Sequence, residues 1–356
     1  MSRHRNDLIF APQRKRRGCS FLLWLLILLV IVLGGVLVAN DSQNHAVKLE
    51  KQSIPILGLA RDLEGFPILH ISDLHGARLG EAQSLIASAL KGVSYKAVCI
   101  TGNMVGPSGD VQPFLDLLSI LNKSVPILFI PGDSDPAPLY TQAHDSVSAL
   151  APYITAAQTA GAVYLDAPYK LTVGKATLWF SPENVFSMSS ETLISSCQGQ
   201  LDTLNAAGTA STPDGAAAVR AAEYRLDAAK RLQEARKSMH EGDLHIALSP
   251  IPLTYDYVRQ LWDWQSGEGV SMQNVTLSLA GHFNGGQWRI PGLGAIYVPG
   301  LGFFPEDKQV QGLNRVSTIT QYISPGLGSS DMYPYQPGRL FNSPTVTLLT
   351  LTGRPQ

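Results

Sequence analysis

The N-terminal part of the chain contains eighteen consecutive apolar or glycine residues at positions 21–38. As an α-helix this run is about 27 Å long, close to the thickness of the hydrocarbon core of a bilayer. It predicts a transmembrane helix at 20–39, which separates a short tail, 1–19, from the rest of the chain. A cleaved signal peptide is the alternative, although the run is longer than a usual signal core and no clear cleavage site follows it.

The charges on either side of this run differ. Residues 1–17 contain six Lys or Arg, whereas residues 39–46 contain none. The positive-inside rule therefore predicts a single-pass cell-membrane protein with a basic cytosolic tail and an extracytoplasmic C-terminal domain. Beyond residue 17 the chain has 21 basic and 27 acidic residues. This negative balance argues against nucleic acid as a partner.

After a predicted linker at 40–53, residues 54–356 have the pattern of an α/β domain. Short apolar strands alternate with segments of helical periodicity, which favours a sheet covered by helices. Polar residues follow three of the strands where they end, and the carboxyl ends of strands are where such sheets carry chemistry. The predicted strands are FPILHIS, KAVCITG, VPILFIPG, ATLWFSPEN, LHIALSPIP, VTLSLAGHF and SPTVTLLTL.

A helical insertion is predicted at about 189–241. Its second half is rich in alanine and begins with Thr212 as N-cap and Pro213 at the first helical position. We interpret the segment as a hairpin of two helices joined by GTAST. It is either a cap over the active face, an arm that binds a protein partner, or a surface insertion that only packs on the sheet.

The order of the polar motifs resembles the calcineurin-like metallophosphoesterase family, in particular its membrane-anchored bacterial branch. The resemblance covers residues 58–351 and implies a metallophosphoesterase-like β-sandwich flanked by helices. In that family the motifs bind two metal ions, which clamp a phosphate ester and activate a water molecule. The matching segments are Asp73-Leu74-His75 for Asp-x-His, Gly102-Asn103 for Gly-Asp, Gly132-Asp133-Ser134-Asp135 for Gly-Asn-His-Asp/Glu, Pro250 for the fourth motif's His, Gly281-His282-Phe283-Asn284 for Gly-His-x-His, and RLFNSP for the C-terminal Arg-x-Phe-Asn-x-Pro.

Four of these positions lack the side chain that the family's chemistry needs. Asn103 replaces the carboxylate that bridges the two metals, and Asn284 replaces an imidazole with a weakly binding amide. Pro250 has no ligand atom in its side chain. Ser134 stands at the position of the general-acid His, and its hydroxyl has no pKa near neutrality. The resemblance therefore leaves no catalytic residue intact.

A fifth change adds a charge, because Asp133 stands where the family has Asn. The ligand set has moved from nitrogen towards oxygen, which suits Mn²⁺, Mg²⁺ or Ca²⁺ better than Zn²⁺. We expect a site with one divalent cation at most, or none. The predicted metal ligands are Asp73, His75, Asn103, Asp133, His282 and Asn284.

Other polar residues near the motifs have structural interpretations. His70 is interpreted as a packed strand residue, and Gln287 as a residue that fixes its own loop. Arg289 and Arg339 are able to meet a phosphate, but surface ion pairs are the default interpretation.

The resemblance implies a phosphate-ester hydrolase, and the substitutions predict that its activity is reduced or absent. The ligand would be a phosphate-containing small molecule or lipid. Two alternatives remain: a pseudoenzyme whose cleft binds a ligand without turnover, and a scaffold that uses the helical insertion as its contact surface.

Overall fold

The structure is a computed structural model that describes residues 17–44, 46–106, 109–143, 148–262, 270–331 and 338–354. Residues 1–16 of the predicted basic tail lie outside the described residues. The chain divides into two compact units, Met1–Ser42 and Gln43–Gln356. Each is described by itself.

The described part of the first unit belongs to helix α1, Arg17–Asn44, whose last two residues fall in the second unit. Its segment Phe21–Asn44 is long and apolar enough to cross a membrane, a property that a signal sequence near the N-terminus shares. The helix continues five residues beyond the predicted end at residue 39.

The second unit is a mixed α/β domain. Its strands are β1 Lys48–Pro55, β2 Pro67–Ile71, β3 Ala97–Thr101, β4 Ile127–Ile130, β5 Val163–Tyr164, β6 Tyr169–Val173, β7 Ala176–Pro182, β8 Leu244–Ser249, β9 Val275–Ala280, β10 Arg289–Ile290, β11 Gly294–Ala295, β12 Tyr297–Val298, β13 Gly302–Phe303, β14 Gly312–Val316, β15 Ile319–Ile323 and β16 Thr345–Thr352. Its helices are α2 Ser84–Ala89, α3 Gln112–Ile120, α4 Pro152–Thr159, α5 Ser190–Ala206, α6 Pro213–Ser238, α7 Tyr255–Trp262 and α8 Asp307–Val310.

Two six-stranded sheets form the framework of this unit. Their strand orders are β1-β16-β2-β3-β4-β5 and β14-β15-β9-β8-β7-β6. The centre of each sheet is parallel: β2 to β5 in the first, and β7, β8, β9 and β15 in the second. Parallel strands buried on both faces are expected to be short and almost wholly apolar, as the sequence of β3, AVCIT, is.

One apolar cluster contains side chains from both sheets, so the two sheets share a core. Alternate residues of β3 point to opposite faces: Ala97 and Cys99 lie in this shared core, while Val98 and Ile100 pack against α3 and α4. The residues of the shared core that lie on the central parallel strands are Ile68, Ala97, Cys99, Leu128, Ile130, Leu178, Phe180, Leu244, Ile246, Leu248, Leu277, Leu279 and Tyr322.

The predicted helical insertion consists of α5 and α6, whose N-caps are Ser189 and Thr212. The two helices contact each other through Cys197, Leu201, Ala222 and Leu226. Leu232 of α6 packs on the outer face of the second sheet. Leu193 of α5 packs against the same cluster, so both helices of the hairpin contact the domain.

The prediction of a linker at 40–53 was wrong. Residues up to Asn44 continue α1, and β1 begins at Lys48 and pairs in parallel with the C-terminal strand β16. Most of β1 is polar because it is an edge strand, but Ile54 at its end is fully buried in the shared core. Pairing with a strand almost 300 residues later gives no local signal in the sequence.

Ile54→Ala is expected to lower the free energy of unfolding by about 2–5 kcal/mol, because it leaves a cavity in the shared core. Leu57→Ala is the matched control, since Leu57 lies three residues further on and is fully exposed. Urea denaturation of the full chain in detergent measures both. Equal, small effects of the two substitutions would mean that this segment is a linker after all.

Candidate functional site

The predicted site residues come together at the carboxyl ends of the parallel strands. Asp73 follows β2 and donates its backbone N–H to the carbonyl of Gly102 at 2.9 Å, after β3. The N–H of His75 donates to the carbonyl of Asn103 at 2.7 Å. His282, which follows β9 of the second sheet, donates its N–H to both carboxylate oxygens of Asp73 at 2.9 and 3.0 Å. The loops of the two sheets thus form one cluster.

Two glycines allow the second and third loops to touch. Gly102 has φ +89°, and a Cβ on it would lie 2.5 Å from the Cα of Gly132. A Cβ on Gly132 would collide with the backbone and side chain of Asn103. Any larger residue at either position would push the two loops apart.

Five of the six predicted ligands have left-handed backbone conformations. Their φ angles are 54° at Asp73, 50° at His75, 52° at Asn103, 86° at His282 and 50° at Asn284. Side chains other than glycine rarely adopt such angles, and each costs of order 1–3 kcal/mol. Such strain persists where the surrounding structure holds a functional constellation in place.

Asp73 is fully buried at the centre of the cluster. It accepts hydrogen bonds from the hydroxyl of Ser72 at 2.6 Å, from the amide of Asn103 at 3.2 Å and from the backbone of His282. Burial nevertheless raises the pKa of Asp73 above its ordinary value. A positive charge close to this carboxylate would offset that desolvation.

Asn103 connects the two carboxylates of the site with its amide nitrogen. Nδ2 donates to Oδ1 of Asp73 at 3.2 Å and to Oδ1 of Asp133 at 3.1 Å. Its amide oxygen accepts the backbone N–H of Ser134 at 2.8 Å, which fixes the orientation of the group. In this structure Asn103 therefore donates its NH₂ group to the two carboxylates, whereas the sequence predicts that its amide oxygen is a metal ligand.

Asp133 and His282 form a pair at the mouth of the cluster, with Oδ1 and Nδ1 3.2 Å apart. Burial alone would raise the pKa of Asp133, but the hydrogen bond and charge of His282 outweigh it and lower the pKa to about 2. Burial alone would lower the pKa of His282, but its hydrogen bond with Asp133 and the charges of both aspartates raise it. The pair thus favours a carboxylate beside an imidazolium.

Several buried polar atoms of the cluster have no hydrogen-bond partner among the described residues. They are both ring nitrogens of His75, Oδ1 of Asn284 and Nε2 of Gln287. Nε2 of His75 lies 4.0 Å from Oδ1 of Asp73. Burial lowers the pKa of His75, an effect that Asp73 partly offsets. Buried polar atoms without partners are rare in proteins and point to a ligand or ion.

The other motif residues have structural roles. Oδ1 of Asp135 accepts the N–H groups of Val105 and Gly106 at 2.7 and 3.0 Å, and Oδ2 accepts those of Met104 and Gly132 at 3.1 and 2.9 Å. Pro250 follows β8 and supplies no ligand.

The interpretation of Arg339 as a surface residue was wrong. Arg339 is buried and donates to the carbonyls of Pro325, Gly328 and Asn342 at 2.6–2.7 Å. Asn342 in turn donates to the carbonyl of Asn284 at 2.7 Å. The C-terminal RLFNSP segment therefore supports the His282 loop from behind, a role for which its match to the family's C-terminal motif was the only sequence signal.

Gln287, Arg289 and His70 contact other residues of the domain, as the sequence predicts. Oε1 of Gln287 accepts the N–H of Ser330 at 3.0 Å, which fixes its loop as expected. Arg289 pairs with Asp307 at 2.5 Å. His70 is fully buried, contacts the ring of Tyr322 and donates or accepts at Thr101 Oγ1 at 2.9 Å; burial lowers its pKa to about 3.

The predicted metal ligands lie close to one another in this cluster. Possible ligand atoms come from Asp73, Asp133, His75, His282 and Asn284. In the interior, Asp73 has a buried carboxyl group, and His75 and Asn284 have buried polar atoms without a hydrogen-bond partner among the described residues. As they stand, however, no three His, Cys, Asp or Glu side chains of the described residues are close enough together to hold a metal ion. Asn103 occupies the position between the carboxylates with its NH₂ group.

Comparisons with known proteins give little more. No family model matches the chain, and no curated protein matches it. The crystal structure of phosphopantetheinyl hydrolase from Mycobacterium tuberculosis is similar with a TM-score of 0.40 and 14% identity, over 83% of this chain and 98% of that chain. At that TM-score the likeness carries no conclusion about function.

Asp133→Asn is expected to lower the pKa of His282, because it removes the charge that stabilises the imidazolium. The folded-state pKa of His282 lies above its ordinary 6.5, so this pair stabilises the fold below pH 6.5 and loses that contribution as the pH rises through the folded-state value. NMR titration of the histidine ring protons in the full chain, with chelator present, measures the shift. Asp202→Asn, on an exposed face of α5, is the control. A wild-type midpoint below 6.5 would contradict the assigned pair.

Proposed function

We propose that this chain is a membrane-anchored, extracytoplasmic protein of the metallophosphoesterase type. Its cleft binds a phosphate-containing ligand with the help of one divalent cation at most, and its hydrolytic activity is reduced or absent. The observation that carries this proposal is the strained cluster of Asp73, His75, Asn103, Asp133 and His282 where the two sheets meet.

The strain and the unpartnered atoms support a retained binding role. Five left-handed residues in three loops are costly, and a domain that only packed its loops together would have no use for them. The buried ring of His75 and the amide oxygen of Asn284 are partnerless within the described residues. A cation or a ligand would satisfy both groups at once.

The ligand set supports one cation in place of two. A bridging carboxylate is needed to keep two dications close together, and Asn103 is neutral. The fourth motif contributes no ligand, since Pro250 stands there. With Asp73, Asp133 and Asn284 as oxygen donors, the preferred ion is Mn²⁺, Mg²⁺ or Ca²⁺.

The same residues support slow or absent turnover. A bound cation would polarise a phosphoryl oxygen and lower the pKa of a water molecule. The chain itself would hold the ligand with the imidazolium of His282, oriented by Asp133. With Ser134 at the general-acid position, a departing alkoxide would receive no proton from that position, and loss of such a group typically costs 10²–10⁴-fold in rate.

The metal content of the full chain tests this proposal. After loading with Mn²⁺ and dialysis, elemental mass spectrometry is expected to find about one ion per wild-type chain and none in Asp73→Asn. Asp116→Asn, a surface variant on α3, is the control. Two ions per chain would mean a dinuclear hydrolase and would contradict the proposal, whereas none would mean that the cleft binds its ligand without a cation. Hydrolysis of bis-p-nitrophenyl phosphate by the same preparations is expected to be near background.

Asn103→Asp is expected to make the fold dependent on a cation. The substitution removes both donated hydrogen bonds and adds a third carboxylate 3.1–3.2 Å from the other two. We expect the free energy of unfolding to fall by about 2 kcal/mol or more in chelator and to recover in Mn²⁺.

Thermal unfolding of the full chain with and without Mn²⁺ measures this change. Asn122→Asp, at an exposed turn, controls for the added charge. An Asn103→Asp variant that is as stable in chelator as wild type would show that Asn103 does not hold the two carboxylates together.

A further inference from the structure

A cavity of about 500 Å³ lies between the helical hairpin and the carboxyl ends of β4, β7 and β8. This volume is in the range of small-molecule sites, about 300–1,000 Å³. None of Asp73, His75, Asn103, Asp133, His282 and Asn284 lines it, so it is distinct from the strained cluster. Pro131 and Pro250, which border the third and fourth loops, form its edge.

The walls of this cavity are mainly apolar and come from both the hairpin and the sheets. Helices α5 and α6 contribute one side, and the ends of the strands contribute the other. The principal apolar lining residues are Leu165, Leu193, Cys197, Ala229, Leu232 and Leu248. An apolar ligand segment would therefore replace water at most of the surface.

The acidic residues in the wall already have partners. Asp166 accepts two hydrogen bonds from Arg231 at 2.7 and 2.8 Å and a further one from the hydroxyl of Tyr224. Glu183 accepts the hydroxyl of Tyr257 at 2.7 Å, and burial raises the pKa of this carboxyl group. Asp166 is therefore neutralised by Arg231, while burial shifts Glu183 towards its uncharged form.

Arg225 differs from these acids. This half-buried residue of α6 lines the cavity, yet its guanidinium makes no hydrogen bond or ion pair with any described residue. Placing a charge among apolar side chains without a partner is unfavourable. Among the described residues of the wall, Arg225 is therefore the cation without an ion-pair partner.

We propose that this cavity binds an amphipathic organic anion, an apolar chain or ring with one terminal carboxylate or phosphate. Arg225 pairs with the anionic group through charge-assisted hydrogen bonds, and the apolar part lies between α5, α6 and the strand ends. This site does not depend on the function proposed for the strained cluster.

Calorimetric titration of the full chain in lipid nanodiscs tests the site, with empty nanodiscs as background. The probes are octanoate, octyl phosphate and octanol, which share one chain and differ in their polar group. Wild type is expected to bind both anions at one site per chain, about tenfold more tightly than octanol, with a negative heat-capacity change. The anion that binds more tightly identifies the preferred headgroup.

Three variants separate the charge from the cavity. Arg225→Gln is expected to weaken binding of both anions about tenfold and to leave octanol binding unchanged. Lys230→Gln, an exposed position on the same helix, should bind like wild type. Ala228→Phe, which fills the cavity, should bind none of the three probes while unfolding at the wild-type temperature.

Either of two results would overturn the proposal. One is the absence of saturable binding above the nanodisc background in wild type. The other is an Arg225→Gln variant that binds both anions as tightly as wild type. Arg225 lies outside the Asp73 cluster, so the Mn²⁺ stoichiometry is expected to be the same in Arg225→Gln as in wild type. Failure of this ligand site is therefore distinguishable from failure of the proposed cation site.

Discussion

The carboxylate of Asp135 holds together the part of the molecule on which the site depends. It accepts four backbone N–H groups, three from the loop after β3 and one from the loop after β4. Charge-assisted hydrogen bonds of this kind are about twice as strong as neutral ones. They keep Gly102 against Gly132, and this contact sets the positions of Asn103 and Asp133. Asp135 is not one of the predicted ligands, yet its side chain determines the positions of two residues that are.

Within that frame, the change from carboxylate to amide at position 103 alters the electrostatics of the whole cluster. Three carboxylates packed together would repel one another unless cations lay between them. Asn103 supplies two N–H groups to Asp73 and Asp133, and His282 supplies a positive charge beside Asp133. These contacts offset part of the negative charge of the two carboxylates, which supports the proposed site for one cation at most. The unsatisfied ring of His75 shows that this internal compensation is incomplete.

The sequence predicted the elements whose signal is local. The central parallel strands are short apolar runs, and the hairpin helices have N-caps and helical spacing; all lie where the sequence placed them. It did not predict β1, because polar residues at a sheet edge become a strand only by pairing with β16. Nor did it predict the buried Arg339, whose carbonyl partners come from loops brought together by the fold. The six predicted ligands do gather at one edge, but the orientation of Asn103 depends on the N–H of Ser134 and is set by loop geometry that no motif encodes.

The hairpin shows why residue type alone does not indicate a functional site. Its sequence is that of an ordinary amphipathic, alanine-rich helix, and Arg225 and Arg231 are indistinguishable in it. In the structure Arg231 lies opposite Asp166 and forms a bidentate ion pair, while Arg225, nearly two turns earlier on α6, lines the cavity and has no ion-pair partner among the described residues. Small alanines at 228 and 229 leave space beside it where larger side chains would close the gap. A helix that served only to cover the strand ends would gain stability by filling that space and pairing that charge, so the combination of both omissions favours a ligand-binding role for the insertion over simple packing.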